Sequence, residues 1–331
     1  MKRVWIALAA VLAVILPARL YTVMTLADAR TGLYDPKNNG IAIAVAIAAA
    51  VGVFLLMGLG SGLKVKIPSV DLRSVGTALF AALTGLFAAG QSLASLMVSS
   101  GTGSRGMEVI FSAFGLLAAA AFLAAAYSFA SGSGLFRSHP LVGLLPSIWG
   151  CLGLISMFVN YAATVNRLEN VYNTFTVALL LLFLFSQAKF MAGMEVKKSA
   201  GRMMLFGPAA AALAFLTAVP GCVRYFSGIT ALGLFPVGLH LLDIVIAVYI
   251  LVYLAAVSRL PEALPAAQET DGGNAPESAE MQQPSDGGAS GGDGPDLLQL
   301  CSEFLKNSYH ASEKFVEIRE NTLPAEKSGK G

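Results

Sequence analysis

Charge is what this chain has least of. Only 13% of its 331 residues are Asp, Glu, Lys or Arg, about half the ~25% usual in soluble domains. Hydrophobic residues make up 56%, above the roughly 45–50% of such domains. This balance excludes a fold whose whole surface faces water. Cysteine is scarce too. Cys151, Cys222 and Cys301 fall at three different depths of the architecture derived below, so neither a disulfide framework nor a zinc set follows. The three histidines, His139, His240 and His310, are equally dispersed, and no metal or other cofactor is expected. The chain has no Walker A motif and no Gly-x-Gly-x-x-Gly after a strand, which removes the usual support for ATP-driven or dinucleotide chemistry. Its basic residues form no cluster able to track a phosphate backbone, so nucleic acid is not an expected partner.

What is present is long apolar runs. They cover residues 4–26, 41–60, 74–98, 108–130, 141–164, 174–192, 203–221 and 233–257, and about 20 apolar residues span the ~30 Å hydrocarbon core as a helix. The runs lack strict alternation and exceed the ~10-residue strands of an outer-membrane barrel. The expected fold class is therefore all-α, a polytopic membrane bundle of about eight transmembrane helices. Residues 1–260 form the membrane domain and the lipid bilayer is its first partner.

Lys and Arg are retained on the cytoplasmic side of short loops. With the N-terminus inside, eleven of them (2, 3, 64, 66, 73, 137, 189, 197, 198, 202 and 259) are cytoplasmic and five (30, 37, 105, 167 and 224) are outside. Both termini are expected in the cytoplasm, and the localisation is a bacterial cytoplasmic membrane. Met1-Lys2-Arg3, an apolar stretch and Ala27-Asp28-Ala29 imitate a signal peptide. Arg19 interrupts that stretch, so the first span is expected to stay uncleaved.

Residues 1–260 carry 17 Lys plus Arg against 7 Asp plus Glu, a net of +10, while residues 261–331 carry 5 against 13, a net of −8. Within the tail, residues 261–295 hold seven Gly, five Pro and seven acidic residues without Lys or Arg. That composition predicts a disordered linker. From Asp296 to about residue 320, Leu297, Cys301, Phe304, Phe315 and Ile318 help define one weakly apolar helical face. This face is the candidate dock for a cytoplasmic protein partner.

Polar residues inside spans cost ~2.5–3.5 kcal/mol when charged and are functional candidates by default. Arg19, Gln91, Asn160 and His240 are expected between the midplane and the outer surface, and Asp243 near the middle of its span. They predict an outward-facing, ligand-binding polar pocket in which Arg19 and Asp243 pair, since an unpaired buried charge costs more than a paired one. Ser131-Gly132-Ser133-Gly134 resembles the Gly-x-Ser-Gly of intramembrane serine proteases. His240 would lie at the opposite membrane face, beyond the ~3 Å reach of a nucleophile and its base. No catalytic residues are expected. The basic loops between spans 2 and 3 and between spans 6 and 7 also allow a 4+4 parallel repeat.

The first outer loop, Ala27-Asp28-Ala29-Arg30-Thr31-Gly32-Leu33-Tyr34-Asp35-Pro36, resembles the segment after the first span of uncharacterised polytopic membrane proteins of Gram-positive anaerobes. The resemblance implies no activity. Tyr34 is expected to anchor this loop at the membrane interface. The functional expectation is a permease-like or small-ligand-binding protein using the outer pocket. The alternative is a membrane scaffold or sensor whose tail recruits a partner.

Overall fold

In hydrocarbon every backbone N–H and C=O must be bonded within its own segment, so a long apolar run that enters lipid does so as a helix. A computed structural model of the chain describes residues 2–28, 34, 37, 39–62, 72–97, 105–162, 168–228 and 237–259, without the side chains of 105, 159–162 and 237–239. Its helices are α1 (Lys2–Tyr21), α2 (Asn39–Ser61), α3 (Val75–Met97), α4 (Arg105–Ser131), α5 (Leu135–Ser138), α6 (Pro140–Ala162), α7 (Leu168–Met191), α8 (Val196–Phe226) and α9 (Val237–Ser258). All but the one-turn α5 contain stretches long and apolar enough to cross a membrane. The protein is an all-α polytopic bundle and an integral, multi-pass membrane protein. The expected linker (261–295) and tail helix (296–320), with Leu297, Cys301, Phe304, Phe315 and Ile318, lie outside the described residues.

Two spans are longer than their apolar runs. α7 begins at Leu168 rather than near 174, and α8 covers 31 residues, Val196–Phe226, rather than 203–221. At 1.5 Å per residue α8 is about 46 Å long, well beyond the ~30 Å core. The extension of α7 is polar, Leu168-Glu169-Asn170-Val171-Tyr172-Asn173. It remains helical because Glu169 in the first turn complements the helix dipole and because Asn170 and Tyr172 are buried.

α8 is the centre of the bundle and packs against α1, α2, α7 and α9. Its residues Ala209, Ala210, Ala211, Ala212 and Ala214 have no exposed surface. Small side chains suit this place, because lipid supplies little hydrophobic drive and association depends on close backbone approach. The closest approach is at Gly60 of α2, where an added Cβ would stand 2.3 Å from the Met204 carbonyl oxygen of α8. Pro208, four residues on from Met204, has no N–H to offer that carbonyl. Only a glycine can lie over it.

Two side-chain polar contacts tie α7 to its neighbours inside the bundle. The Gln187 amide on α7 donates to the Tyr249 hydroxyl on α9, and the Thr176 and Thr217 hydroxyls of α7 and α8 lie 3.0 Å apart. Tyr249 and Tyr253 pack with Phe122, Phe129 and Phe183 into one aromatic group. On the outside, α2 presents Ile43, Ile47, Val51 and Phe54 as an exposed apolar stripe, the surface expected to face lipid. The turn between α7 and α8 uses Gly193 and Glu195, both at positive φ. There a hydrogen bond from Lys198, reinforced by the charges of Lys198 and Lys189, holds the Glu195 carboxyl below the usual carboxylate range.

Candidate functional site

Because successive spans alternate in direction, the C-terminal ends of α1, α6 and α8 share one face of the bundle with the N-terminal ends of α7 and α9. The polar side chains converge there. α1 ends in a π-helical turn, Thr22–Leu26, just beyond Pro17 and Arg19. Such a widened turn frees backbone groups for side chains, and the Thr22 hydroxyl donates to the Arg19 carbonyl oxygen at 2.8 Å.

Arg19 is 1% exposed and pairs with Glu169 of α7, Nη2 to Oε2 at 2.5 Å. Its Nη1 donates to the Tyr34 hydroxyl at 2.8 Å, and that hydroxyl donates onward to Glu169 Oε1 at 3.2 Å. The guanidinium also lies over the Tyr172 ring, 4.1 Å from its centroid, a cation–π contact that gains strength when water is excluded. One expectation is thereby corrected. Arg19 pairs with Glu169, not Asp243, because α7 starts a turn and a half before its apolar run and brings Glu169 to the level of Arg19. Tyr34 is a bonded member of this cluster. Burial first, then the Glu169 charge, pushes its hydroxyl up to about 12, with the Arg19 charge opposing.

The loop after α1 is held down at two points. An isolated antiparallel bridge joins Ala27 to Tyr34, and the Tyr34 hydroxyl accepts from Arg19. Arg224, buried near the end of α8, donates from Nη2 to the Asp28 carbonyl oxygen at 3.0 Å. Close by, His240 of α9 lies within charge range of Glu169. Its ring crosses α8 at Gly221, where an added Cβ would come within 2.8 Å of the imidazole. His240 Nδ1 is buried without a hydrogen-bond partner among the described residues.

One turn further along α9, Asp243 has a different setting. A cavity of about 110 Å³ opens between α4, α6, α7 and α9, lined by Asp243 together with Phe111, Trp149, Met157, Thr176 and Ile246 among others. This is several times the ~10–15 Å³ that one water needs. Asp243 is half-buried and belongs to the wall of this space. Among the described residues no hydrogen bond or ion pair reaches its carboxylate. The rings of Phe111 and Trp149 stack at 5.6 Å between centroids beside the same cavity.

Of the five expected pocket residues, Arg19 thus belongs to the Glu169–Tyr34 group, His240 packs against Gly221 of α8, and Asp243 lines a separate cavity. Gln91 belongs to neither: its amide donates to Ser95 of its own helix at 3.2 Å. Asn160 lies in the last turn of α6, with its side chain outside the described residues. Sequence reasoning missed Glu169, although an acidic residue in the first turn of a helix is a readable signal. Among the described residues, no group of three His, Cys, Asp or Glu side chains could hold a metal ion. No protein-family model, curated protein or solved structure matches the chain.

Proposed function

We propose that this is a permease-like or small-ligand-binding protein of a bacterial cytoplasmic membrane, with both termini cytoplasmic and its ligand held in the Asp243 cavity in the outer half of the bundle. The observation that carries this reading is the cavity itself. A tightly packed bundle has no use for a void of about 110 Å³ with a carboxylate on its wall, since interiors are close-packed and a buried charge without a partner is costly. A permease or receptor needs both. The Arg19–Glu169–Tyr34 group supports the reading differently: it fixes the outer ends of α1 and α7 and the loop between α1 and α2. That leaves the volume between α6, α7 and α9 as the place where a ligand fits.

The reading is tested by water access. Ser156 lines the cavity, and a Ser156→Cys variant, made with Cys151, Cys222 and Cys301 replaced by Ala, is treated in intact cells with an impermeant cationic thiol reagent. Labelling from outside is the expected result. Labelling by a lipid-soluble maleimide alone would overturn the outward pocket. In that case the alternative gains: a membrane scaffold or sensor whose acidic tail, through the 296–320 segment, recruits a cytoplasmic protein.

A further inference from the structure

The lining of the cavity has a chemical bias. Its side chains come from sixteen residues, of which Asp243 is the one ionisable group and none is Lys, Arg or His. Two of the largest are the stacked rings of Phe111 and Trp149. Aromatic faces carry negative potential and attract cations, so carboxylate and rings act in the same direction. Leu180, Leu181, Leu184, Leu242 and Ile246 supply apolar wall. Oxygen atoms are few beside that wall: Ser156, Asn173 and Thr176 join Asp243, and the Thr176 hydroxyl already donates to Tyr172. Hard inorganic cations require about six oxygen ligands once dehydrated. This lining is poorly suited to them and well suited to an organic body.

We propose that the cavity binds an organic ammonium ion, with the protonated amine on the Asp243 carboxylate and an apolar or aromatic body against Phe111, Trp149 and the leucines of α7. This rests on the reading of the cavity as a ligand site and adds its charge preference. Asp243 supplies the counter-charge in a place where the fold provides no cation among the described residues. Trp149 reports on occupancy, because the ring lines the cavity and the chain has only two tryptophans. The other, Trp5, lies on α1 and is removed by Trp5→Phe.

The test uses the full chain in detergent micelles at neutral pH and three probes of one shape: benzylamine, benzyl alcohol and benzoate. Trp149 fluorescence and thermal unfolding are read for each. Benzylamine is expected to bind about tenfold tighter than the alcohol or more, the scale of a desolvated cation–π contact with a charge-assisted hydrogen bond, and to raise the melting temperature. Benzoate is expected to have no effect. Asp243→Asn should bring benzylamine down to the level of the alcohol. If the alcohol binds as well as the amine, or sodium displaces the amine at constant ionic strength, the organic-cation inference fails while the ligand cavity stands. If none of the three binds, both readings fall. Should Asp243→Asn not fold, the comparison of the three probes on the unaltered chain decides alone.

Discussion

A guanidinium with 1% of its surface exposed and a carboxylate 2.5 Å away form a charged pair inside the described bundle. Glu169 keeps 31% of its own surface, so the pair is open on the acid's side and closed on the base's. Removing one partner leaves a buried charge without compensation, which typically costs about 3–5 kcal/mol, whereas removing both is often close to neutral. We therefore expect Arg19→Leu and Glu169→Leu each to lower the thermal midpoint of the detergent-solubilised protein substantially, and the double variant to recover most of the loss. Arg19→Leu combined with Asp243→Leu should instead be additive. Additivity in the Glu169 cycle, or recovery in the Asp243 cycle, would restore the pairing drawn from the sequence. The sequence marked Arg19 as an in-span charge in need of a partner but did not identify that partner. Hydropathy places the edge of a span where polar residues begin, whereas the helix of α7 runs on through Glu169, Asn170 and Tyr172 because their polar groups face protein rather than lipid. Nor could Tyr34 have been assigned from sequence, since its position depends on the Ala27–Tyr34 bridge, a tertiary contact with no local signature.

Among the elements, α8 bears the packing. Its polyalanine segment was legible as an apolar run, but its central position was not, because every span of a membrane protein is apolar and hydropathy does not rank burial. Glycine spacing is equally mute. Gly58 and Gly60 of α2 are two residues apart, yet an added Cβ at Gly58 meets nothing within 4 Å while one at Gly60 meets the Met204 carbonyl at 2.3 Å. Gly60→Ala must therefore push α2 from α8 or bend the backbone around Pro208, and overpacking of this kind costs about 1–3 kcal/mol. Gly58→Ala faces open space and gains up to about 1 kcal/mol of helix propensity. The expected outcome in a denaturation series is a lowered midpoint for Gly60→Ala and an unchanged or slightly raised one for Gly58→Ala. Equal effects at both sites would show that α2 does not seat on the Met204 carbonyl.

For the whole molecule, the face of the bundle that looks outward decides from which side a ligand arrives, because Arg19 near the end of α1 and Asp243 in the first third of α9 lie toward the same face. Eleven Lys and Arg flank the opposite ends of the spans and five flank this one, and the proposed orientation, with the polar end outside, rests on that positive-inside bias. The bias is strongest in short loops close to span ends. The turn between α7 and α8 is of that kind: it carries Lys189, Lys197, Lys198 and Arg202 within 14 residues, with the single acid Glu195 bonded to Lys198 at 3.4 Å. Single cysteines placed at Lys37 and at Lys197, in a chain stripped of its own three, separate the two orientations. Lys37 is exposed three residues after Tyr34, and Lys197 is exposed at the start of α8. In intact cells an impermeant thiol reagent is expected to label position 37 and to spare position 197 until the membrane is permeabilised. The reverse pattern would turn the cavity toward the cytoplasm, where an organic ammonium could reach Asp243 only from inside. The protein would then be open to an internal ligand rather than an external one.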